Sequence, residues 1–239
     1  MKVIGVIPAR LKSTRLAEKV KREVAGKPLV QHVWERASKA TKLNQVVIAT
    51  DHQDIIKMVE RFGGKACLTR PDHQSGTERL IEVAQNVECD VIINIQGDEP
   101  LIDSSSIDRL VDVFNDECVK VGTLYYEMTN VEAFESPNVV KVVLDHAGNA
   151  LYFSRASIPH DRDKTEKCAF KKHLGIYGYR RSVLLDYAQL KPSPLESLEK
   201  LEQLRWLANG ISIRCVPSKS DSIGVDTEED LKRVEMLLQ

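Results

Sequence analysis

The chain has 239 residues, enough to bury one substantial core as a single large domain or a domain with an attached lobe. Hydrophobic residues make up 42% and charged residues 29%, the balance of an ordinary soluble globular protein. A formal net charge of −1 provides no global basic field for nucleic acid or an anionic membrane surface, so affinity for an anion has to come from local clusters.

No apolar run approaches the roughly 18 residues needed to span a bilayer. The apolar part of MKVIGVIPAR is too short for a signal peptide and reads as a strand. The five cysteines, Cys67, Cys89, Cys118, Cys168 and Cys215, form no C-x-x-C pair. Cys67, Cys89 and Cys215 lie in or beside apolar stretches as buried thiols, which fits a reduced, cytoplasmic setting.

The first half alternates between two periods. Val3–Pro8 is a near-continuous apolar run, as expected of a strand covered on both faces. Pro28 opens a helix whose stripe is Leu29, Val30, Val33, Trp34 and Ala37. Gln45–Thr50 is a second buried strand. A helix from Asp51 or His52 follows, with Ile55, Ile56, Val59 and Phe62 inward, and ends at Gly63-Gly64. Lys65–Thr69 is a third strand, Thr77–Gln85 a helix, Val91–Ile95 a fourth strand and Ser104–Phe114 a helix. Such alternation predicts a doubly wound, mostly parallel α/β sheet, whose ligands sit at the carboxyl ends of the strands. Both IPARLKSTR and QGDEP leave strands at that edge.

The second half changes character. Val121–Glu127, Val139–Asp145, Ala150–Ser154 and His173–Arg180 are strand-like, with a hairpin turn at 145–148. Residues 121–180 are expected to be an inserted antiparallel β lobe on a single α/β domain spanning 1–239. Helical period returns at Leu195, Leu198, Leu201 and Leu204, and again at Leu231, Val234, Leu237 and Leu238.

Four cations, Arg10, Lys12, Arg15 and Lys19, follow the first strand without a glycine among them. They read either as a solvated loop or as a cradle in which backbone N–H groups and basic side chains hold a polyphosphate. There is no Walker loop and no G-x-G-x-x-G, which removes the fingerprint of a nicotinamide-dependent dehydrogenase. Asp98, in QGDEP, is placed to hold Mg²⁺ against a nucleotide phosphate, and Pro100 separates it from the helix near Ser104 that it could otherwise cap. Asp226 precedes the last helix and reads as a cap or dipole partner. If Thr227 and Asp230 form a capping box, Asp226 becomes available as a second metal ligand. Glu196 reads as part of a solvated acidic edge, and His173 as a packed histidine. His32, His52, His146 and His160 are scattered without zinc-ligand spacing.

Taken in order, IPARLKSTR, AGKPLVQHV, ATD, PDHQSGTERL, NIQGDEPLI, NVVKVV, ALYFSRASIP, KHLGIYGYR, LEKLEQLR and GVDTEEDL resemble the 3-deoxy-manno-octulosonate cytidylyltransferases over essentially the whole chain. The resemblance implies attack of a sugar acid's anomeric hydroxyl on the α-phosphorus of CTP, giving CMP-Kdo and pyrophosphate for lipopolysaccharide assembly. By motif, Ala9, Arg10, Ser13, Arg15 and Lys19 would hold the triphosphate, with Arg10, Arg15 and Lys19 taking part in catalysis. Asp98 and Asp226 would bind Mg²⁺. Pro71, Ser75, Arg79 and Gln96 would surround cytosine and ribose, and Arg155, His173, Tyr177, Glu202 and Gln203 the sugar acid. The resemblance also implies a homodimer built through the antiparallel lobe. Rival readings are activation of an 8-amino analogue or a sialic acid, and a CTP-binding sensor that has lost catalysis. One departure stands out. After STRL the family usually continues Pro-Gly-Lys-Pro-Leu, and this chain has Ala17-Glu18-Lys19-Val20-Lys21.

Overall fold

The computed structural model describes residues 1–11, 16–73, 75–163 and 169–238. Strands β1 (Val3–Pro8), β2 (Glu23–Val24) and β3 (Lys27–Pro28) lead into α1 (Leu29–Ala37). Then come β4 (Gln45–Thr50), α2 (Gln53–Arg61), β5 (Lys65–Leu68), α3 (Gly76–Asn86), β6 (Val91–Asn94) and α4 (Ser104–Asp112). The second half adds β7 (Val121–Met128), α5 (Val131–Glu135), β8 (Lys141–Leu144), β9 (Ala150–Ser154), β10 (Phe170–Arg180) and α6 (Arg181–Leu185). It closes with α7 (Pro194–Glu199), α8 (Gln203–Ala208), β11 (Ile213–Pro217) and α9 (Glu228–Leu238).

The main sheet runs β11-β7-β10-β6-β1-β4-β5, with β8 and β9 branching from β10. β6, β1, β4 and β5 are parallel, and β10 enters antiparallel between β6 and β7. The antiparallel strands of residues 121–180 therefore share one sheet with the α/β core. Each residue of β1 chooses a face. Val3 and Ile7 join the cluster formed with α1, α2 and α4, while Ile4 and Val6 join the one formed with α3, α8 and β9. This two-sided burial explains why β1 reads as an unbroken apolar run rather than an alternating one. A third, smaller cluster packs α9 through Leu231 and Val234 against Leu16, Val24 and Leu29.

Two sequence expectations are corrected. The leucines spaced by three do not share one helix, because Lys200 adopts a left-handed conformation (φ 54°) that separates α7 from α8. Leu201 and Leu204 are buried, while Leu198 is 81% exposed. Glu196 is not solvated either. Both its carboxylate oxygens accept from Arg205, at 2.7 and 2.8 Å, a two-pronged geometry that suits the guanidinium fork. Among the described cysteines, Cys215 is buried, Cys67 and Cys89 are partly buried, and Cys118 is exposed; Cys168 lies outside the described residues.

Candidate active site

The site forms where parallel strands β1 and β6 end side by side. Ala9 extends the ladder one step beyond β1, its N–H donating to Ala49 O at 2.8 Å, and Arg10 emerges exposed. On β6, Ile95 N–H donates to Val6 O at 2.9 Å before the chain turns through Gln96 and Gly97. A Cβ on Gly97 would lie 2.7 Å from Pro8 O, so only glycine lets the two strand ends come this close. The next residue is Asp98.

Asp226 reaches Asp98 through the backbone, Val225 N–H donating to Asp98 O at 2.9 Å. Glu99 holds the same segment, accepting from Ser222 Oγ at 2.9 Å. Burial, reinforced by the neighbouring Asp98, pushes the Glu99 carboxyl up to about 7. Lys172 adds a third tether, donating to Asp221 Oδ1 at 2.6 Å and Ser222 O at 3.2 Å. Thr227 and Asp230 form the reciprocal capping box: Asp230 N–H donates to Thr227 Oγ1 at 3.2 Å and Thr227 N–H to Asp230 Oδ2 at 2.9 Å.

Between the two aspartates stands Lys19. Its Nζ donates to Asp98 Oδ2 at 2.6 Å and to Asp226 Oδ1 at 2.8 Å. Burial alone would depress this ammonium, but the two carboxylates override it and hold Lys19 above the ordinary lysine value. The preceding Glu18 sits in the left-handed region (φ 49°) and turns to Lys21, 2.9 Å away, so its charge is committed to that pair.

These groups border a cavity of about 290 Å³. Arg10, Lys19, Ser75, Arg79, Gln96 and Glu202 line it together with both aspartates, so the structure gathers half of the residues singled out in the sequence. Ser75 caps α3, its Oγ accepting from Glu78 N–H at 3.2 Å. Arg79 is buried, donating to Thr69 Oγ1 and standing 3.5 Å from Asp51. Gln96 is fixed by its Nε2 donating to Gly175 O at 3.0 Å, and Glu202 by accepting from Thr77 Oγ1 at 2.6 Å.

The rest divide. Ser13 and Arg15, like Lys12, lie outside the described residues. Pro71 is exposed and does not line the cavity. Arg155 is not brought to it either: Nε donates to Glu199 O at 2.8 Å and Nη1 to Pro137 O at 3.0 Å. His173 is partly buried, its Nε2 3.1 Å from Thr123 Oγ1, and desolvation pushes it down to about 3, so it is a neutral imidazole. Tyr177 and Gln203 are buried beside Glu202.

Three buried side-chain atoms lack a hydrogen-bond partner among the described residues: Tyr177 Oη, Gln203 Nε2 and Asn94 Oδ1. Asn94 and Tyr177 stand opposite each other in the β6–β10 register and so share one face of the sheet. Each such atom carries an uncompensated desolvation cost. Sequence reasoning missed Asn94 and also His73, which lines the cavity; both lay inside motifs read for their neighbours.

Comparison with known proteins decides the family. The cytidylyltransferase family model matches residues 4–213. The 3-deoxy-manno-octulosonate cytidylyltransferase of Solibacter usitatus (strain Ellin6076) is 48% identical, the match covering 100% of this chain and 95% of that protein. Its counterpart from Geobacter metallireducens (strain ATCC 53774 / DSM 7210 / GS-15) is 46% identical over 98% of this chain and 96% of its own. The chain belongs to the 3-deoxy-manno-octulosonate cytidylyltransferase family. A solved structure of CMP:2-keto-3-deoxy-manno-octonic acid synthetase complexed with CTP superposes with a TM-score of 0.95 at 44% identity, covering 100% of this chain and 98% of that one. Among the described residues, no helix of this family member is long and apolar enough to cross a membrane.

Proposed function

We propose that this chain is a Mg²⁺-dependent cytidylyltransferase that transfers CMP from CTP to the anomeric hydroxyl of 3-deoxy-D-manno-octulosonate. One P–O bond forms at the α-phosphorus, the α–β bridge breaks, and pyrophosphate leaves. The observation that carries the reading is the pairing of Asp98 and Asp226 about a single cationic nitrogen at the cavity that Arg10, Ser75 and Gln96 also line.

The donor set fits a divalent cation. Two carboxylate oxygens converge on one cationic nitrogen at 2.6 and 2.8 Å, a point at which a metal ion could replace the ammonium. Among the described residues no third His, Cys, Asp or Glu joins them. That suits Mg²⁺, which takes one or two carboxylates and completes its shell with water and substrate phosphate oxygens. Bound there, the ion would neutralise triphosphate charge and polarise the α-phosphate.

The chain's own residues do the positioning. Arg10 and Lys19 bind phosphate oxygens, with Ser13 and Arg15 from the sequence between them. Ser75, Arg79 and Gln96, with Pro71 beside them, bind the nucleoside. Glu202, Gln203 and Tyr177, with Asn94 opposite Tyr177 on the sheet, orient the sugar acid, and neutral His173 packs against Tyr177. Arg155 reaches the sugar carboxylate by giving up its Pro137 carbonyl. The protein works in the cytoplasm as a homodimer through the strands of 121–180; exposed Val131 and Leu151, each 62% accessible, support that face.

Pyrophosphate release across a panel of sugar acids, with CTP and with UTP, tests the reading. Release is expected with 3-deoxy-D-manno-octulosonate and CTP and to cease in EDTA. Failure with every sugar acid while CTP still binds would leave a nucleotide sensor instead.

A further inference from the structure

We propose that Glu82, which does not line the nucleotide cavity, is a positioning residue that sets the nucleotide-binding stretch 69–73 by stapling Arg70 to His73 through one carboxylate oxygen. The proposal rests on reading this cavity as the CTP site. The loop joins β5 to α3 and delivers His73, Ser75 and Gly76 to the cavity wall. A loop of this length is held only as well as its hydrogen bonds hold it.

Its base is secured by Thr69, whose N–H and Oγ1 both donate to Thr50 O, at 2.7 and 2.9 Å. Its tip at Pro71 and Asp72 is exposed. What closes the turn is Glu82 on α3. Glu82 Oε2 accepts from Arg70 N–H at 3.0 Å on the incoming limb, and the same oxygen is hydrogen-bonded to His73 Nε2 on the outgoing limb. The His73 side chain is only 5% exposed, and its Nδ1 lies 3.8 Å from Glu78 Oε2.

Glu78 and Glu82 are four residues apart on α3, a spacing at which two carboxylates repel. His73 lies between them, its Nε2 bonded to Glu82 and its Nδ1 3.8 Å from Glu78 Oε2, so the two acids flank the ring. His73 in turn faces both the nucleotide cavity and a groove on the other side of the loop, the groove that Glu82 lines. Moving Glu82 therefore moves a cavity wall without touching anything bound in the cavity.

The test is CTP affinity by calorimetry without sugar acid, joined to steady-state kinetics, for Glu82→Ala and Glu82→Gln. Losing a hydrogen bond to a charged group predicts a CTP Kd and KM raised about tenfold in Glu82→Ala. The glutamine, which keeps an acceptor for Arg70 N–H, should show roughly threefold. In both, kcat and the KM for the sugar acid stay within twofold of wild type. Glu82→Ala combined with His73→Ala should bind CTP no more weakly than His73→Ala alone. A CTP Kd unchanged in Glu82→Gln and in Glu82→Ala, even with a lowered Tm, would make Glu82 a fold brace and overturn the proposal. So would equal losses for both substrates. If Glu82→Ala does not fold, Glu82→Gln alone decides by the same criteria. A wild-type protein that binds CTP but turns over no sugar acid refutes the function and leaves the Kd comparison intact; one that does not bind CTP refutes both.

Discussion

Lys19→Met isolates the ammonium that stands between Asp98 and Asp226. Methionine keeps most of the stem's bulk and removes the charge, leaving two carboxylates facing each other across the gap. Their side chains are 30% and 37% exposed and that of Lys19 is 13% exposed, so the contact is neither a surface pair nor a buried one. Exposed pairs contribute at most about 1 kcal/mol, and breaking a buried pair costs about 3–5 kcal/mol. The intermediate burial puts the loss at about 2 kcal/mol. For a chain of this length that lowers Tm by about 4–8 °C when divalent ions are chelated. Added Mg²⁺ should act in the opposite sense. In the wild type a divalent ion must first displace the ammonium from the same two oxygens, whereas in Lys19→Met it meets them directly. The same 2 kcal/mol then appears as roughly thirty-fold tighter Mg²⁺ binding to the CTP-free variant. Thermal shift and calorimetry with MgCl₂ in the absence of CTP read both effects. Turnover falls at the same time, because Lys19 also serves the triphosphate. A variant as stable as wild type in EDTA, with unchanged Mg²⁺ affinity, would refute the view of Lys19 as a tethered stand-in for the metal.

His173 is held neutral at about 3 in the fold, while an unfolded chain protonates histidine near 6.5. Between these values the unfolded state takes up a proton that the folded state refuses, so stability falls as pH drops below about 6.5, by about 1.4 kcal/mol per pH unit from this group. Denaturant titrations at pH 6.5 and pH 5 should differ by about 2 kcal/mol more in wild type than in His173→Gln, and equal differences would show that the imidazole titrates in the fold. Glu18→Gly restores the glycine that the family usually carries in a position whose φ is 49° here. Relief of the left-handed strain should raise stability by about 0.5–1 kcal/mol with CTP kinetics unchanged, and a lower Tm would show that the Glu18–Lys21 pair contributes more than the strain.

The core strands were legible because burial on both faces leaves an unmistakable mark: β4 lies on Gln45–Thr50 and β1 on Val3–Pro8, as their apolar runs require. Other elements were not legible, for reasons that are local. Lys200 breaks the α7–α8 segment in a left-handed conformation without the glycine or proline that advertises such a break. β10 begins at Phe170, ahead of the expected His173, because Lys171 and Lys172 look like loop residues until their partners Glu127 and Asp221 are in place. Arg155 was placed at the sugar acid by the family resemblance alone, and its backbone-carbonyl partners here come from distant segments that no local pattern announces. Glu82 escaped notice for the converse reason: it sits one helical turn from Glu78, where a glutamate ordinarily means solvent.

Asp226 was the most ambiguous residue in the sequence, since an acid ahead of a helix is usually its cap. The structure separates the two roles by chemistry. α9 has N–H groups without intrahelical partners at its start, which side chains or water must satisfy. Thr227 and Asp230 take up that duty between them, with Asp230 Oδ2 also accepting the Asp226 N–H at 3.1 Å. The same bond that ties down the backbone of residue 226 leaves its carboxylate directed to Lys19. The box therefore does more than end a helix. Removing the Asp230 carboxylate would release both the cap and the backbone that aims Asp226, so the position of the second acid depends on a residue that never touches the cation.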